Sequence, residues 1–397
     1  MLEKEAKMNR LGQRKDRKGE RGSILAMSAI GMLSLLLAVG LGVDITHLYL
    51  AKNELQNAAD ASALAGASGL NFDESGIYAA TKYAVQEMNK YEFNNQGVVF
   101  TPDNVRFARD LSDFDNGPGL NQVAAAAPGV VDTIRFVKVI TPESPVQMSF
   151  VGFLLGNSRN LTAQAVAGVS APLTNFMGYL PLFLIDNNDL STFIPGNVYT
   201  IRSPPQNPIS PGNYQILAID GSGGADDRID LASAVQNVVG PGEYVDTKPG
   251  VTAGAIRQGI NTRFDDYASG MDPVDFPPDI NIKEGIKYKE YQKAYKNYLE
   301  GLQPNPLIFQ KPSHDGVAGR RVVLLPIMKI SEVEGGRTSV QIDHFGAFFL
   351  QTKVSGGNGL DIQAEYIGTS VVVGNGVYDP FAPPNLGPPI VKPVLYR

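Results

Sequence analysis

The chain has 397 residues, of which 43% are hydrophobic and 19% are charged, so it can bury a core and does not have the composition of a disordered chain. Its net charge of -6 argues against a nucleic-acid partner, because phosphate binding requires a concentrated basic surface. The absence of cysteine excludes disulfides, thiolate nucleophiles and thiolate metal sites.

The first predicted element is an apolar helix near the N-terminus. Residues 23–43 form a run of 21 residues without a charged side chain, and such a helix spans roughly 30 Å, the thickness of the hydrocarbon core of a bilayer. Residues 1–22 carry eight basic side chains against four acidic ones. The positive-inside rule therefore predicts a basic cytoplasmic segment at 1–22, a single transmembrane helix at 23–43 and export of the rest.

Two other interpretations of this segment fit it less well. A cleaved signal peptide has a shorter apolar region and a small-x-small cleavage site, whereas no Ala-x-Ala follows residue 43 before the helical pattern resumes. A buried helix of a soluble protein needs protein on every side when all its faces are apolar. A retained membrane anchor is therefore the favoured interpretation.

The helical pattern continues beyond the apolar run, because residues 44–65 contain neither proline nor glycine. Within the membrane segment, Ser34, Ala38 and Gly42 recur at every fourth residue, a spacing that permits close helix packing but also arises by chance in apolar runs. A second stripe, spaced by mostly three or four residues, consists of Leu48, Ala51, Leu55, Ala58, Ala59 and Ser62. Two roles are open for this second stripe: docking on the chain's own sheet, or packing beside other subunits.

The next part of the chain is predicted to be a small helix-plus-sheet module at residues 44–171. A second, shorter helix is predicted at 74–91, and the apolar period then changes to two. Strands are predicted at residues 98–101, 105–109, 133–140 and 161–170. Residues 149–156, with the sequence SFVGFLLG, fit either a short helix or a buried strand.

Residues 172–397 are predicted to form a larger, β-rich domain, which makes the whole chain α+β. The predicted strands are 213–220, 321–330, 340–351 and 362–373, and the predicted helices are 226–239, 252–263 and 284–302. The last helix carries Tyr288, Tyr291, Tyr295 and Tyr298 on one face, which predicts a stripe that faces the core rather than a ligand cage. Six prolines from residue 380 onward predict an extended tail.

The sequence contains no motif of a known catalytic class, so no enzyme is predicted. The best candidate for a Ca²⁺ or Mg²⁺ site is the Gly-rich turn at residues 220–230, because it carries hard oxygen ligands. Its candidate ligands are Asp220, Ser222, Asp226 and Asp227. The alternative is a turn followed by a helix whose first carboxylates favour its positive end, and under that interpretation no cofactor is bound. His314 and His344 have no carboxylate pattern that argues for acid–base chemistry.

Residues 20–67 resemble the N-terminal domain of TadG-like proteins of the Tad (Flp) pilus assembly system. The resemblance rests on four features that occur in order: ERGSILA from residue 20, Val43–Asp44, LYL at 48–50 and LQNAADASALAGA at 55–67. It implies a bacterial inner-membrane protein whose body lies in the periplasm or outside the cell. It also implies a structural part in pilus biogenesis, adhesion or secretion, with other Tad pilus assembly proteins as partners and self-association through the N-terminal helix as a candidate.

Two departures limit what the resemblance implies. A prepilin peptidase site resembles a glycine followed by a glutamate five residues later, whereas Met27 follows Gly22 at that distance. Processing as a pilin is therefore not expected. No complete von Willebrand type A metal motif is present, so metal-dependent adhesion is not implied.

Three hypotheses follow for the function of the chain. The favoured one is a membrane-anchored structural or assembly component of a Tad-type pilus. The second is an envelope adhesin or binding protein in which the loop at Asp220 holds a divalent cation. The third is a membrane-tethered hydrolase, which would require Asp, Ser and His side chains that converge in one pocket.

Overall fold

The computed structural model describes residues 17–87, 92–93, 96–150, 152, 156–186, 193–201, 213–218, 224–249, 253–329, 337–355, 361–368, 370–374, 376–379, 382–383, 385 and 388–396. Within these ranges it contains helices and several β-sheets, which confirms the predicted α+β class. The end of the second predicted helix, at residues 88–91, lies outside the described residues, as do residues 220–223 of the predicted metal loop.

The predicted helices are present, but the one predicted at 226–239 ends at Ser233, because Val235 and Val239 pair with Tyr179 and Phe176 in β-bridges. The bounds of the helices are α1 (Arg17–Gly69), α2 (Glu74–Lys82), α3 (Asp113–Asn116), α4 (Gln122–Ala125), α5 (Gly224–Ser233), α6 (Ala253–Asn261) and α7 (Tyr288–Leu299). Helix α1 continues without a break from the apolar run into the polar region and ends at Gly69. A Cβ atom at Gly69 would lie 2.6 Å from the backbone nitrogen of Ala80 in α2, so this position requires glycine.

The strands are shorter than the helices and more numerous. They are β1 (Glu92–Phe93), β2 (Gln96–Gly97), β3 (Val105–Ala108), β4 (Phe136–Ile140), β5 (Ser144–Gln147), β6 (Ser158–Leu161), β7 (Gln164–Val169), β8 (Leu184–Asp186), β9 (Val198–Thr200), β10 (Asn213–Leu217), β11 (Tyr244–Pro249), β12 (Val322–Lys329), β13 (Ser339–Leu350), β14 (Gln363–Ile367), β15 (Val371–Val372), β16 (Ile390–Val391) and β17 (Pro393–Leu395). The strand predicted at 98–101 is not formed, because the chain there leaves the short pair β1–β2 for a coil.

The chain divides into two compact units, one of residues 1–59, 89–99 and 140–164 and the other of residues 60–88, 100–139 and 165–397. The predicted division has a single boundary between residues 171 and 172, and the observed units do not follow it. One reason is that β17, at the C-terminal end, pairs antiparallel with β7. An extended, proline-rich tail carries no local signal for the strand that it will join.

The first unit contains two antiparallel hairpins, β1–β2 and β5–β6. In the second hairpin, Ser144 pairs with Leu161 and Gln147 pairs with Ser158. Its tip, residues 148–157, begins with a hydrogen bond of 2.9 Å from the amide of Met148 to the carbonyl of Asn157. Of the segment 149–156, which fits either a helix or a strand in sequence, residues 151 and 153–155 lie outside the described residues. The others lie between β5 and β6.

The second unit contains a four-stranded sheet, a seven-stranded sheet and the parallel pair β15–β16. The four-stranded sheet has the order β17–β7–β4–β3. The seven-stranded sheet has the path β10–β11–β13–β12–β8, with β14 beside β13 and β9 beside β14. Strands β12 and β8 are parallel, whereas the other pairs in this sheet are antiparallel.

Both faces of the seven-stranded sheet are covered, since six consecutive residues of β12 are buried. Leu325 and Ile327 pack in one apolar cluster with Ile260 of α6, and Leu324 packs in a second cluster with Tyr291 of α7. Part of the tyrosine stripe of α7 faces this core: Tyr291 is 3% exposed and Tyr288 packs against the same cluster. Tyr295 is buried in a separate small cluster, and Tyr298, at the end of the helix, is 38% exposed. The second unit is thus a sheet between helices, with its centre at β12 and β13.

Candidate membrane anchor and its junction with a β-hairpin

In the part of the chain that the structure describes, one helix is long and apolar enough to cross a membrane, and it is the N-terminal part of α1. The large apolar side chains between residues 24 and 39 are exposed, for example 73% at Leu25 and 58% at Val39, apart from Leu37, which is partly buried. The core helix of a soluble protein would have an apolar face covered by protein. The apolar run of α1 is therefore a candidate membrane span.

Coverage of α1 by the rest of the first unit begins at Gly40, the first buried residue of the apolar run. A Cβ atom at Gly40 would lie 2.6 Å from the Cβ atom of Phe150, in the tip of the β5–β6 hairpin. Only glycine allows this approach without movement of Phe150. By contrast, a Cβ atom at Gly42 would have no neighbour within 4 Å.

Asp44, the first charged residue after the apolar run, fixes the hairpin tip to α1. Its side chain is buried, with 2% of the residue exposed. Oδ1 accepts a hydrogen bond of 2.8 Å from the amide of Ser149, and Oδ2 accepts one of 2.9 Å from the amide of Phe150. Hydrogen bonds to a charged group each contribute about 1.5–3 kcal/mol, so this carboxylate is a strong junction.

Two further contacts continue the junction along the helix. Lys52 Nζ donates to the carbonyl of Thr162, and Gln56 Nε2 donates to the carbonyl of Gln164 at 2.9 Å. The tip of the hairpin thus lies beside Gly40 and Asp44, and the chain that follows β6 lies beside Lys52 and Gln56. The rise of an α-helix places these two levels on the order of 20 Å apart.

The predicted helix-packing face, Ser34, Ala38 and Gly42, is exposed. The hydroxyl of Ser34 donates to the carbonyl of Ile30 at 2.8 Å, so this polar group is satisfied within the helix. The face is therefore uncovered by the described part of the chain, as a surface that contacts lipid or another helix must be.

The second stripe of small side chains is different, because the chain itself covers most of it. Leu55, Ala58, Ala59 and Ser62 are fully buried, Ala51 is 3% exposed and Leu48 is half-buried. Of the two roles left open by the sequence, docking within the chain fits this burial. Apart from Leu48, these side chains are not accessible to another subunit.

The predicted metal ligands are only partly within the described residues. Asp220, Ser222 and the side chain of Asp226 lie outside them. The carboxylate of Asp227 accepts two hydrogen bonds from Lys248 Nζ, at 2.6 and 2.8 Å. The lysine ammonium thus occupies the position in which a cation would contact Asp227, and no group of metal-binding side chains is found within the ranges described.

Each of the two histidines of the second unit lies beside a carboxylate, which the sequence did not predict. His314 Nδ1 is 2.6 Å from Oδ1 of Asp265, and His344 Nδ1 is 2.8 Å from Oδ2 of Asp343. Ser313 contacts Asp265 through its amide rather than its hydroxyl. Burial acts to raise the pKa of Asp265, but the hydrogen bonds from His314 and Ser313 outweigh it and leave this pKa below its usual value.

A buried polar network was also missed by the sequence analysis. The guanidinium of Arg321 is fully buried, and burial lowers its pKa to about 10. It donates to four backbone carbonyls, those of Asn281, Lys283, Leu350 and Gln351. The backbone amide of Arg321 donates to Asp279, whose pKa burial raises above its usual value. An arginine at the start of an apolar strand was the only signal for this network in the sequence.

Comparison with known proteins identifies one segment of the chain. Residues 22–69 match a family model described as putative Flp pilus-assembly TadE/G-like. This match lies within α1 and includes Gly40, Asp44 and the second stripe of small side chains. No curated protein and no solved structure matches the chain. The resemblance found in the sequence of α1 is therefore confirmed.

Proposed function

We propose that this chain, whose residues 22–69 match a TadE/G-like family model, is a membrane-anchored component of a Tad-type pilus assembly system. Helix α1 holds it in the bacterial inner membrane with residues 1–22 in the cytoplasm, and the α+β body lies in the periplasm or outside the cell. Its role is structural: it scaffolds other assembly proteins during pilus biogenesis and has no catalytic activity. The match over α1 is the observation that carries this proposal.

The properties of α1 support the anchoring part of the proposal. Apart from Leu37, its apolar run is exposed over residues 24–39, and contact of so many apolar side chains with water is unfavourable. Eight basic side chains precede the run and Asp44 follows it, which is the charge asymmetry of a helix with a cytoplasmic N-terminus. A single apolar chain segment of this length anchors a protein effectively irreversibly.

The division of α1 into two surfaces supports the scaffolding part. Residues 51–62 use their small side chains for packing within the chain. The face of Ser34, Ala38 and Gly42 remains uncovered and has the spacing at which helices pack closely in membranes. Partners within the membrane, or a second copy of the chain, are therefore proposed to contact this face.

The proposal is tested in a bacterium that assembles Tad pili with this chain. Deletion of the chain should abolish surface pili, and the full-length chain should restore them. The chain extracted in mild detergent should also carry the other Tad assembly proteins with it, as measured by quantitative mass spectrometry. A matched control replaces residues 23–43 with an unrelated transmembrane helix of equal length, which keeps the anchor but removes the packing face. Normal piliation without this chain would contradict the proposal.

A further inference from the structure

The tip of the β5–β6 hairpin has a composition that is unusual for a loop exposed to water. Residues 144–158 contain no charged side chain, and Glu143 and Arg159 bound this stretch on either side. The tip itself has the sequence MSFVGFLLGN from residue 148. Phe150 is 54% exposed although it contacts the helix at Gly40. A large aromatic side chain is thus presented at the surface of an uncharged hairpin tip.

The level of this tip along α1 is fixed by the contacts already described. Phe150 lies beside Gly40, which precedes the end of the apolar run at Val43 by three residues, or about 4–5 Å of helix. The α1 side chains at the same level are also apolar and exposed, with Leu41 at 40% and Ile45 at 55%. The hairpin tip and the last turn of the candidate membrane span therefore share one environment.

The backbone amides of Ser149, Phe150 and Gly156 are suited to an environment without water. Non-helical backbone tolerates the bilayer boundary only where its polar groups have partners within the protein. Asp44 accepts from the amides of Ser149 and Phe150, and the amide of Gly156 donates to the carbonyl of Gly152 at 2.8 Å. The same two hydrogen bonds supply partners for the charge of Asp44, which an apolar surrounding would otherwise penalise.

We propose that Phe150, with Ser149 beside it, is a second membrane contact, which lies in the outer interface of the bilayer that α1 crosses. The occupant of the exposed part of Phe150 is lipid, because this side chain contacts the apolar run of α1 at Gly40. The inference rests on the proposed anchoring by α1. With two contacts rather than one, the first unit holds a defined tilt and rotation at the membrane, whereas a helix alone leaves both free.

The chain contains no tryptophan, which allows a direct measurement of depth. Three full-length variants, each with one tryptophan, are placed in bilayers that contain lipids brominated near the interface or near the acyl-chain ends. Phe150→Trp reports on the tip, Leu161→Trp reports on the opposite end of the same hairpin, and Leu35→Trp reports on the anchor. We expect bromine near the interface to quench the tryptophan of Phe150→Trp at least twofold more strongly than the tryptophan of Leu161→Trp.

The three variants separate the failure of this inference from the failure of the anchor. Quenching of the variant at Leu35 without quenching at Phe150 would leave the anchor in place and overturn the membrane contact of the tip. Absence of quenching at Leu35 would overturn the anchor, and the inference with it. If Phe150→Trp does not fold, Ser149→Cys with a fluorescent label, compared with Ser144→Cys, makes the same measurement with Phe150 intact, since the chain has no other cysteine.

Discussion

At the scale of single residues, Asp44 connects α1 with the β5–β6 hairpin. It lies 105 residues before Ser149 and 106 residues before Phe150 in the sequence. Its position directly after an apolar run made it visible in the sequence as part of the TadG-like pattern. Its partners were not visible, because backbone amides carry no sequence signature. The carboxylate explains why an acidic residue at this position is structurally useful: one side chain satisfies two amides that the hairpin tip leaves without partners.

The first prediction concerns these two amides. Asp44→Asn replaces one acceptor oxygen with a donor and removes the charge, so one of the two hydrogen bonds is lost and the other is weakened. A loss of about 1.5–3 kcal/mol corresponds to roughly 10- to 100-fold faster hydrogen exchange at Ser149 and Phe150. Asp132→Asn, at an exposed carboxylate, is the matched control. Unchanged exchange at both amides would show that Asp44 does not hold the tip.

Arg321 gives the second prediction, because its removal leaves four carbonyls without this donor, two of them in buried hydrogen bonds and two in partly buried ones. The ring centroids of Phe264 and Phe349 lie 4.7 and 4.4 Å from the guanidinium carbon, Cζ, of Arg321. The residue is fully buried. Arg321→Met should lower the free energy of unfolding by about 3–5 kcal/mol, measured by denaturant unfolding in detergent. Arg337→Met removes an exposed ion pair to Asp246 and should cost at most about 1 kcal/mol. Equal effects of the two substitutions would contradict the assignment.

The third prediction follows from the depressed pKa of Asp265. A carboxyl group whose pKa is lower in the folded state contributes stability above its unfolded-state pKa of about 3.9. That contribution is lost as the pH falls through the folded-state value. The stability difference between the wild type and Asp265→Asn should therefore be largest near neutral pH and shrink below about pH 4. Asp275→Asn, which removes an exposed carboxylate, is the control, and a difference that grows at acidic pH would refute the prediction.

At the scale of secondary-structure elements, the sequence predicted what local periodicity encodes. The continuous helix α1 and the apolar strands β12 and β13 were predicted with bounds within a few residues of those observed. The strands that were missed have weaker local signals. Strand β11, for example, has the sequence YVDTKP, and its polar residues become part of a sheet only through pairing with β10 and β13. Pairing between distant strands, such as β17 with β7, depends on tertiary contacts that no local pattern specifies.

The fourth prediction belongs to α1 as an element. Ala58 is fully buried, whereas its neighbour Asn57 is exposed, so the two residues lie on different sides of the same helical turn. Ala58→Leu adds three heavy atoms to a packed surface and should destabilise the fold by about 1–3 kcal/mol. Asn57→Leu places the same side chain in solvent and should change stability by less than about 0.5 kcal/mol. Thermal unfolding in detergent measures both, and equal tolerance of leucine would mean that the stripe is not packed within the chain.

At the scale of the whole molecule, the candidate site was predicted in part. The apolar run, its basic flank and the TadE/G-like segment were evident from sequence, since composition and order alone define them. The junction of α1 with the β5–β6 hairpin was not evident from sequence, because it depends on the folding of a segment more than a hundred residues away. The result is a helix with an uncovered apolar half and a half that the chain covers, which is the arrangement expected of an anchor continuous with a folded body.

The most direct test of this account is the topology of the chain in intact cells. Because the chain has no cysteine, Val123→Cys, at a side chain that is 76% exposed, and Lys7→Cys, in the basic segment, each provide one labelling site. A membrane-impermeant maleimide should label the first variant in intact spheroplasts and the second only after lysis. Labelling of Val123→Cys only after lysis, or recovery of the full-length chain in the soluble fraction without detergent, would contradict the account.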